Sequence, residues 1–156
     1  LDPETIEAAT DRFYDMSPVE DALTAAAAGP VTAMHDATEC GVYGGLFEMA
    51  RAADARFEVE TDAVPVMPGV REACDFFGID PWISISEGTL LLTVDPDGVE
   101  DVLAALDGES IPAAEVGEVV AGSGIEVDGE ETDHPGVDPF WAAMEEFGAK
   151  LEAESE

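Results

Sequence analysis

Acidic side chains alternate with apolar ones along the whole chain, and this interleaving limits the possible folds more than any other feature. Residues 57–60 read Phe-Glu-Val-Glu, and residues 124–128 read Gly-Ile-Glu-Val-Asp. Asp and Glu number 37 against five Lys and Arg, so the formal net charge is −32. Each helix or strand must keep one solvated acidic face, because an unpaired buried carboxylate is costly. Hydrophobic residues still make up 46% of the chain, which is enough for a packed core.

The same composition excludes two classes of partner. Binding to nucleic acid or to an anionic membrane surface needs a basic patch, because phosphate groups must be neutralised. The five basic residues are instead scattered along the chain. No apolar run reaches the ~18 residues that a transmembrane helix requires, and the opening residues carry no secretory signal. We therefore expect a cytoplasmic protein that binds neither nucleic acid nor membranes.

The net charge also predicts the solvent in which the protein works. Self-repulsion destabilises a compact state in dilute buffer, whereas at molar salt the screening length falls to about 3 Å. We therefore predict a halophilic protein from a high-salt cytoplasm. The alternative is an acidic interaction domain from an ordinary cell. A melting series in KCl separates the two, because only the halophilic protein depends on salt for its stability.

The two cysteines, Cys40 and Cys74, lie far apart in the sequence and belong to no CxxC motif or Cys/His cluster. This spacing favours two free thiols in a reducing cytosol over a single disulfide. It also excludes a structural zinc site.

Hydrophobic periodicity predicts helices and strands in mixed order. Because they do not alternate strictly, the pattern is typical of a layered α+β domain rather than a doubly wound nucleotide-binding fold. The apolar strand at residues 90–94 is expected at the centre of the sheet, and residues 122–124 predict a hairpin turn. An irregular stretch at residues 128–137 precedes the last helix. The helices are predicted at residues 3–14, 18–28, 42–53, 68–77, 96–106 and 138–151, and the strands at 31–34, 56–60, 90–94, 114–120 and 125–128.

One segment, at residues 31–53, has the pattern of a chemical site. A strand ends in polar residues, and glycines follow at the start of a helix. Thr38 is the predicted N-cap, and the free amides of the first helical turn would bind an anion. Asp36 and Glu39 place carboxylates at the same point, so a phosphate there would need a divalent cation, unless these groups bind a cation or move protons. His35 would polarise a carbonyl or shuttle a proton.

A purely structural interpretation of the same residues stays open. In that interpretation Asp36, Thr38 and Glu39 cap the helix, and His35 is a hydrogen-bonded residue at the end of a strand. A glycine-rich cap alone is a weak signal, because glycine also allows another backbone to approach closely.

The run at residues 34–50, Met-His-Asp-Ala-Thr-Glu-Cys-Gly-Val-Tyr-Gly-Gly-Leu-Phe-Glu-Met-Ala, resembles a motif of the aminoimidazole ribonucleotide (AIR) synthase-related superfamily. The motif opens the C-terminal domain of those proteins. Stretches within residues 65–81, 86–94 and 116–120 resemble later elements in the same order. The resemblance covers residues 17–128 and is strongest to an archaeal branch similar to hydrogenase-maturation proteins of the carbamoyl-dehydratase type. We therefore expect an AIR synthase-related C-terminal domain at residues 1–128, with a loop and a helix appended at 129–156.

The resemblance implies a three-layer α/β/α fold whose mixed sheet is partly ferredoxin-like. It also implies a separate N-terminal domain that binds most of the ATP and Mg²⁺ and forms a homodimer. ATP would phosphorylate a carbonyl-type oxygen, and the activated carbon would then be attacked or dehydrated. That N-terminal domain is absent from this chain, which also lacks an initiator Met, so we expect a piece of a longer protein. Alone it should be inactive and hold no cofactor tightly.

The resemblance also assigns site residues, one by one, to matching positions of this sequence. His35, Asp36 and Glu39 would be catalytic, and Asp36 would in addition contact the metal. The residues expected to bind phosphate or substrate are Thr38, Gly41, Ser86, Glu87 and Gly88.

One departure from the family pattern bears on that assignment. Cys40 stands where the family has the first glycine of a Gly-Gly pair. A Cβ at this position would crowd a phosphate that must touch the backbone. The alternative function is therefore a non-catalytic binding module, or a partner-docking domain, that has lost the phosphate site.

Overall fold

A computed structural model describes residues 1–154 of the chain, and it confirms the α+β class. Short 3₁₀ segments at residues 12–15, 61–63 and 96–98 lie between the main elements. The helices are α1 (Pro3–Asp11), α2 (Val19–Ala28), α3 (Gly41–Ala53), α4 (Val70–Phe77), α5 (Val99–Gly108) and α6 (Pro139–Glu154). The strands are β1 (Val31–Ala37), β2 (Arg56–Val59), β3 (Thr89–Val94), β4 (Gly117–Val120), β5 (Gly124–Val127) and β6 (Glu130–Thr132).

The strands divide between two sheets. β1 and β3 form an antiparallel pair, and the second sheet has the order β4-β2-β5-β6. In the second sheet only β2 and β5 run parallel, so this sheet is the mixed one. β3 was expected at the centre of a sheet, but it pairs with β1 alone. Its apolar side chains are half-buried because helices cover both faces of the pair.

Helix α3 lies between the two sheets and carries the larger core. Leu46, Met49 and Ala50 of α3 are buried against β2 and β5, and Leu91 of β3 packs against the same cluster. On the other face of the β1–β3 pair, α2 and α5 form a smaller core around Ala25. The layers therefore run from the α2 and α5 pair, through β1–β3, to α3 and then to the four-stranded sheet.

The predicted hairpin at residues 122–124 is wrong, because β2 lies between β4 and β5. The hairpin is formed by β5 and β6, and its turn contains Asp128 at φ 53° and Gly129 at φ 80°. Asp-Gly between two alternating stretches is the strongest short-range hairpin signal. The signal was present in the sequence, in the stretch interpreted as irregular.

The outer face of the four-stranded sheet carries one glutamate from each strand, which we call the glutamate row. Glu118 stands opposite Glu58, Glu58 opposite Glu126, and Glu126 opposite Glu131. Arg56 pairs with the two inner members: its Nε lies 3.3 Å from Glu58, and its Nη2 donates a hydrogen bond to Glu126. Within residues 1–154, no helix is both long enough and apolar enough to cross a membrane.

Candidate functional site

His35 and Asp36 lie inside β1, although the sequence placed them in a turn after the strand. Pairing with β3 continues to Ala37, with His35 opposite Leu91 and Asp36 opposite Leu90. Successive side chains of a strand point to opposite faces. His35 and Asp36 therefore belong to different sides of the β1–β3 pair.

His35 faces α3. Its Nε2 lies 2.6 Å from a carboxylate oxygen of Glu48, which is exposed on that helix. The imidazole ring also passes close to Gly45, where a Cβ would meet the ring Cδ2 at 3.3 Å. No local pattern indicates a role for Glu48, because it lies 13 residues further along, on the solvated side of a helix.

Asp36 lies on the opposite face, in an open groove of about 210 Å³. The groove runs between the first turn of α2 and the β1–β3 pair, and its walls include Pro18, Val19, Met34 and Leu90. The walls are largely apolar, whereas the Asp36 carboxylate is exposed to solvent. The groove therefore combines an apolar surface with one accessible acid.

The predicted site residues Ser86, Glu87 and Gly88, which we call the Ser86 turn, lie next to the end of β1. The Ser86 amide donates a hydrogen bond to the Thr38 carbonyl at 3.1 Å, and the Ser86 hydroxyl donates to Thr89 at 2.6 Å. Gly88 has φ 86°, and a Cβ there would lie 2.2 Å from the Asp15 carbonyl. The structure thus places Thr38 and the Ser86 turn together, with Glu87 and Glu39 exposed at the same end of the sheet.

The start of α3 differs from the prediction in its cap. Cys40, not Thr38, holds the N-cap position, with the left-handed φ of 61° and no side-chain cap of its own. The Gly41 amide donates to the Thr38 carbonyl at 3.0 Å, and the Tyr43 amide donates to the Trp82 carbonyl at 3.0 Å. At Gly41 a Cβ would lie 2.5 Å from the Ser84 carbonyl, so another part of the backbone makes the close approach there.

Asp138 accepts a hydrogen bond at the start of α3, and no pattern in the sequence predicts this contact. Its Oδ2 accepts a hydrogen bond from the Cys40 amide at 2.7 Å, and its Oδ1 accepts from the Phe140 amide at 2.8 Å. Asp138 is only 4% exposed. The sequence placed Asp138 at the start of the last helix, but nothing local indicates a contact across 98 residues.

Both cysteines are free, as predicted, and both thiols have perturbed acidity. Burial raises the pKa of the Cys40 thiol, and the negative charges of Asp138, Glu39 and Glu48 raise it further. Burial is also the largest cause of the raised pKa of Cys74. Neither thiol therefore has the lowered pKa that marks a reactive cysteine.

A magnesium ion would find one accessible carboxylate in the groove rather than a protein cage. Among residues 1–154, no group of three or more His, Cys, Asp or Glu has a metal-binding arrangement. Mg²⁺ is usually held by one or two carboxylates together with substrate phosphates. Asp36 fits that mode, with the phosphates supplying the remaining ligands.

Comparison with known proteins gives consistent matches over most of the chain. The model of the family described as AIR synthase related protein, C-terminal domain, matches residues 2–130. Carbamoyl dehydratase HypE of Rhizobium leguminosarum bv. viciae is 36% identical over 101 residues, which are 64% of this chain and 29% of that protein. The crystal structure of Escherichia coli HypE matches with a TM-score of 0.69 and 33% identity, over 80% of this chain and 41% of that one.

A further solved structure, hydrogenase maturation protein HypE in complex with ATP, matches with a TM-score of 0.56 and 29% identity. That match covers 69% of this chain and 38% of the other. The chain thus spans less than half of the length of the relatives it matches. The family match ends at residue 130, so helix α6 lies beyond it.

Proposed function

The chain belongs to the family of AIR synthase-related C-terminal domains, and on that premise we propose that it is one domain of an ATP-dependent enzyme of the carbamoyl-dehydratase type. The chemistry would be phosphoryl activation of a carbonyl-type oxygen, followed by nucleophilic attack or dehydration. The remaining part of the enzyme would supply most of the ATP and Mg²⁺ site. This domain alone would be inactive.

The observation that carries the proposal is the gathering of Asp36, Thr38 and the Ser86 turn at one end of the β1–β3 pair. These residues come from two sequence motifs about 50 residues apart, and the Thr38–Ser86 hydrogen bond joins them. Mg²⁺–ATP held by another domain would approach this end from outside. The family match over residues 2–130 includes both motifs.

Each predicted residue has a definite role in this proposal. Asp36, exposed in the groove, would complete the coordination of a phosphate-bound Mg²⁺ or take a proton. Glu39, Ser86 and Glu87 would line the approach of the substrate, while Thr38, Gly41 and Gly88 shape the two turns. His35 lies on the other face of β1, where its hydrogen bond to Glu48 would hold α3 in position.

Exposed apolar side chains occur in the 3₁₀ segment at residues 12–15 and at the first residue of α2, and we assign them to the contact with the other domain of the enzyme. Large side chains there are well exposed, among them Phe13 at 69%, Tyr14 at 81% and Val19 at 61%. The relatives are more than twice as long as the matched stretch, so a large part of such a protein is available to cover this surface. The homodimer would then form through that other domain. The protein as a whole would work in a high-salt archaeal cytoplasm.

Turnover of ATP tests the proposal. The chain is joined to the N-terminal half of a HypE relative, and phosphate release is measured at molar KCl with Mg²⁺. We expect turnover in the joined protein and none in the isolated chain. Asp36→Asn should reduce kcat at least tenfold, whereas Asp62→Asn, an exposed acid far from the groove, should leave it unchanged. Equal turnover in the two variants would remove Asp36 from the mechanism.

A second function is favoured by the start of α3. There the amides of Cys40, Gly41 and Tyr43 are already bonded within the chain. A domain whose amides at the start of α3 are occupied in this way would serve as a non-catalytic binding or partner-docking module. Calorimetry of the joined protein with Mg²⁺–ATP separates the two functions, because the module would show no heat of binding.

A further inference from the structure

Strand β1 has a strand partner on one side only. β3 is its single neighbour, and no other segment within residues 1–154 forms a backbone hydrogen bond with residues 32–37. In an antiparallel pair, every second residue turns its N–H and C=O groups away from the partner strand. The outer side of β1 therefore presents a row of backbone donors and acceptors with which another strand can pair.

This edge lacks the features that protect the edges of the other sheet. β4 and β6 have four and three residues, and both carry glutamates. Short and charged edge strands discourage pairing with other chains. β1 has seven residues, of which residues 32–34 and 36 are exposed, whereas the side chains of β3 are half-buried throughout. The bulge in β1 lies at its beginning, so residues 33–37 keep a regular register with β3.

The side chains beside this edge form a pattern of their own. Met34 and Asp36 lie two residues apart on one face of β1, and both line the groove of about 210 Å³. Val19 and Leu90 add apolar surface to the same groove. No ion pair or side-chain hydrogen bond within residues 1–154 involves Asp36. A strand added to β1 would therefore place one side chain beside Met34 and another, two residues away, beside an unpaired carboxylate.

The charge of the chain decides which polypeptide fits this edge. A second copy carries the same net charge of −32 and would be repelled. A basic side chain opposite Asp36 would instead form an opposite-charge pair across the strands. Strand addition takes its affinity from main-chain hydrogen bonds and its specificity from alternate side chains. The segment that fits therefore has an apolar and a basic residue two positions apart.

We propose that the outer edge of β1 binds an extended segment of another protein, of this composition, as a third strand. The segment's apolar side chain lies beside Met34 at the groove, and its basic side chain pairs with Asp36. This interaction surface goes beyond the proposed function and needs no ATP turnover. In an active enzyme, the segment and a phosphate-bound Mg²⁺ would exclude one another at Asp36.

The probe is the synthetic peptide Thr-Lys-Thr-Val-Thr-Lys-Thr, with both ends blocked. Its valine and its two lysines share one face of a strand. Because the sequence is symmetric, a lysine lies near Asp36 in either chain direction when the valine lies beside Met34. Binding is followed by nuclear magnetic resonance of the ¹⁵N-labelled chain in molar KCl, where general attraction to the net charge is screened. Amide shifts should concentrate in residues 31–37, and the amides of β4 and β6 should not move.

Two N-methylated isomers of the peptide separate strand pairing from charge. One is methylated at its third and fifth residues and the other at its fourth and sixth, so both keep every side chain. Only one set of amides faces β1, because a slip by one residue turns every side chain to the other face. We expect one isomer to bind at least about tenfold more weakly than the other, since it loses two hydrogen bonds. Equal binding of the isomers, or no binding of the parent peptide, would overturn the proposal.

Variants of the chain test the side-chain contacts. Met34→Ser should weaken binding of the peptide at least about threefold, because apolar contact area is lost. Met16→Ser is the matched control, since Met16 is 41% exposed against 37% for Met34 but lies outside the groove. Asp36→Asn should also weaken binding, whereas Asp62→Asn should not. Equal affinities within either pair of variants would contradict the assigned contacts.

Two further measurements test other occupants of the edge. Light scattering at the same salt should give the mass of a monomer, and a dimer that the peptide dissociates would place a second copy on β1. If the joined protein no longer binds the peptide while the isolated chain does, the edge belongs to the other domain of the enzyme. Either result would overturn a separate partner. Because no readout here needs ATP turnover, failure of the proposed enzyme activity is recognised separately.

Discussion

Neutralising the two outer members of the glutamate row should stabilise the protein in dilute buffer. Glu118 stands opposite Glu58, and Glu131 stands opposite Glu126. Like charges directly opposite each other on neighbouring strands are unfavourable. Arg56 pairs with the two inner glutamates, so the outer two can be changed without breaking either of those ion pairs.

The size of the effect follows from the geometry of the row. The double variant Glu118→Gln with Glu131→Gln removes two of the facing like-charge pairs. Each such pair changes stability by about 0.2–1 kcal/mol, and solvent screening at the exposed outer positions favours the lower part of that range. A gain of about 1 kcal/mol raises the midpoint of a domain of this size by about 2–4 °C.

The assay is thermal unfolding followed by circular dichroism, in KCl from 0.1 M to 2 M. The matched control is Glu7→Gln with Glu145→Gln, which makes the same change in net charge on exposed helical positions. We expect the row variant to melt higher than the control at low salt. The difference should disappear at molar salt, because the screening length then falls to about 3 Å, shorter than the distance between facing residues.

Two results would refute this reasoning. Equal melting of the row variant and the control at low salt would mean that only the total charge matters. A difference that persists at 2 M KCl would mean that the glutamine side chains act through packing or hydrogen bonding rather than through removed repulsion.

The same series also tests the predicted adaptation to high salt. A midpoint of the unmodified protein that does not rise with salt would contradict that adaptation.

Three further predictions concern single sites. Gly44→Ala should destabilise by about 1–3 kcal/mol in a denaturant titration, because its Cβ would lie 2.5 Å from the backbone carbonyl oxygen of Glu39. Gly148→Ala, which meets no atom within 4 Å, should stabilise by up to about 1 kcal/mol. At Cys40, whose φ is 61°, glycine should be more stable than alanine by about 1 kcal/mol in the same titration, the reverse of their helix propensities. Burial, and then the charges of Asp80 and Asp128, raise the pKa of Tyr43 to about 12. Its contribution to stability is therefore complete below the unfolded pKa near 10 and is lost as the pH rises toward 12, and ultraviolet titration should show a late step that Tyr43→Phe removes.

Local signals in the sequence were sufficient to predict most of the elements. Asp2 followed by proline predicted the start of α1, and in the structure its carboxylate accepts from the Glu4 and Thr5 amides at 3.0 Å. The glycine after Phe77 ends α4 with the left-handed φ of 67°. These signals act over a few residues, so they can be read without knowledge of the fold.

Pairing between distant parts of the chain was beyond such signals. β2 lies between β4 and β5, and no local pattern indicates where a strand is inserted. The predicted end of β1 is residue 34, because polar residues at that point are typical of a turn that follows a strand, but the strand extends through His35 and Asp36. In each case the deciding interaction is made by residues far away in sequence.

The site shows the same division. Thr38 and the Ser86 turn were singled out by two separate motifs, and the structure places them together. Three contacts had no signal in the sequence. They are the hydrogen bond from the Cys40 amide to Asp138, the contact of His35 with Glu48, and the close approach of the Ser84 carbonyl to Gly41. These contacts depend on the packing of loops and helices after the sheets have formed.

The position of β2 between β4 and β5 has a consequence for biosynthesis. A ribosome makes residues 56–59 well before residue 117, where β4 begins. Phe57 and Val59 therefore have no strand partner while the intervening segment emerges, and folding of the larger core waits until β5 has left the exit tunnel. Pairing over such sequence separations is slow, and an unpaired apolar strand is prone to aggregation in the meantime. The acidic residues on either side of Phe57 and Val59 would keep nascent chains apart during that interval.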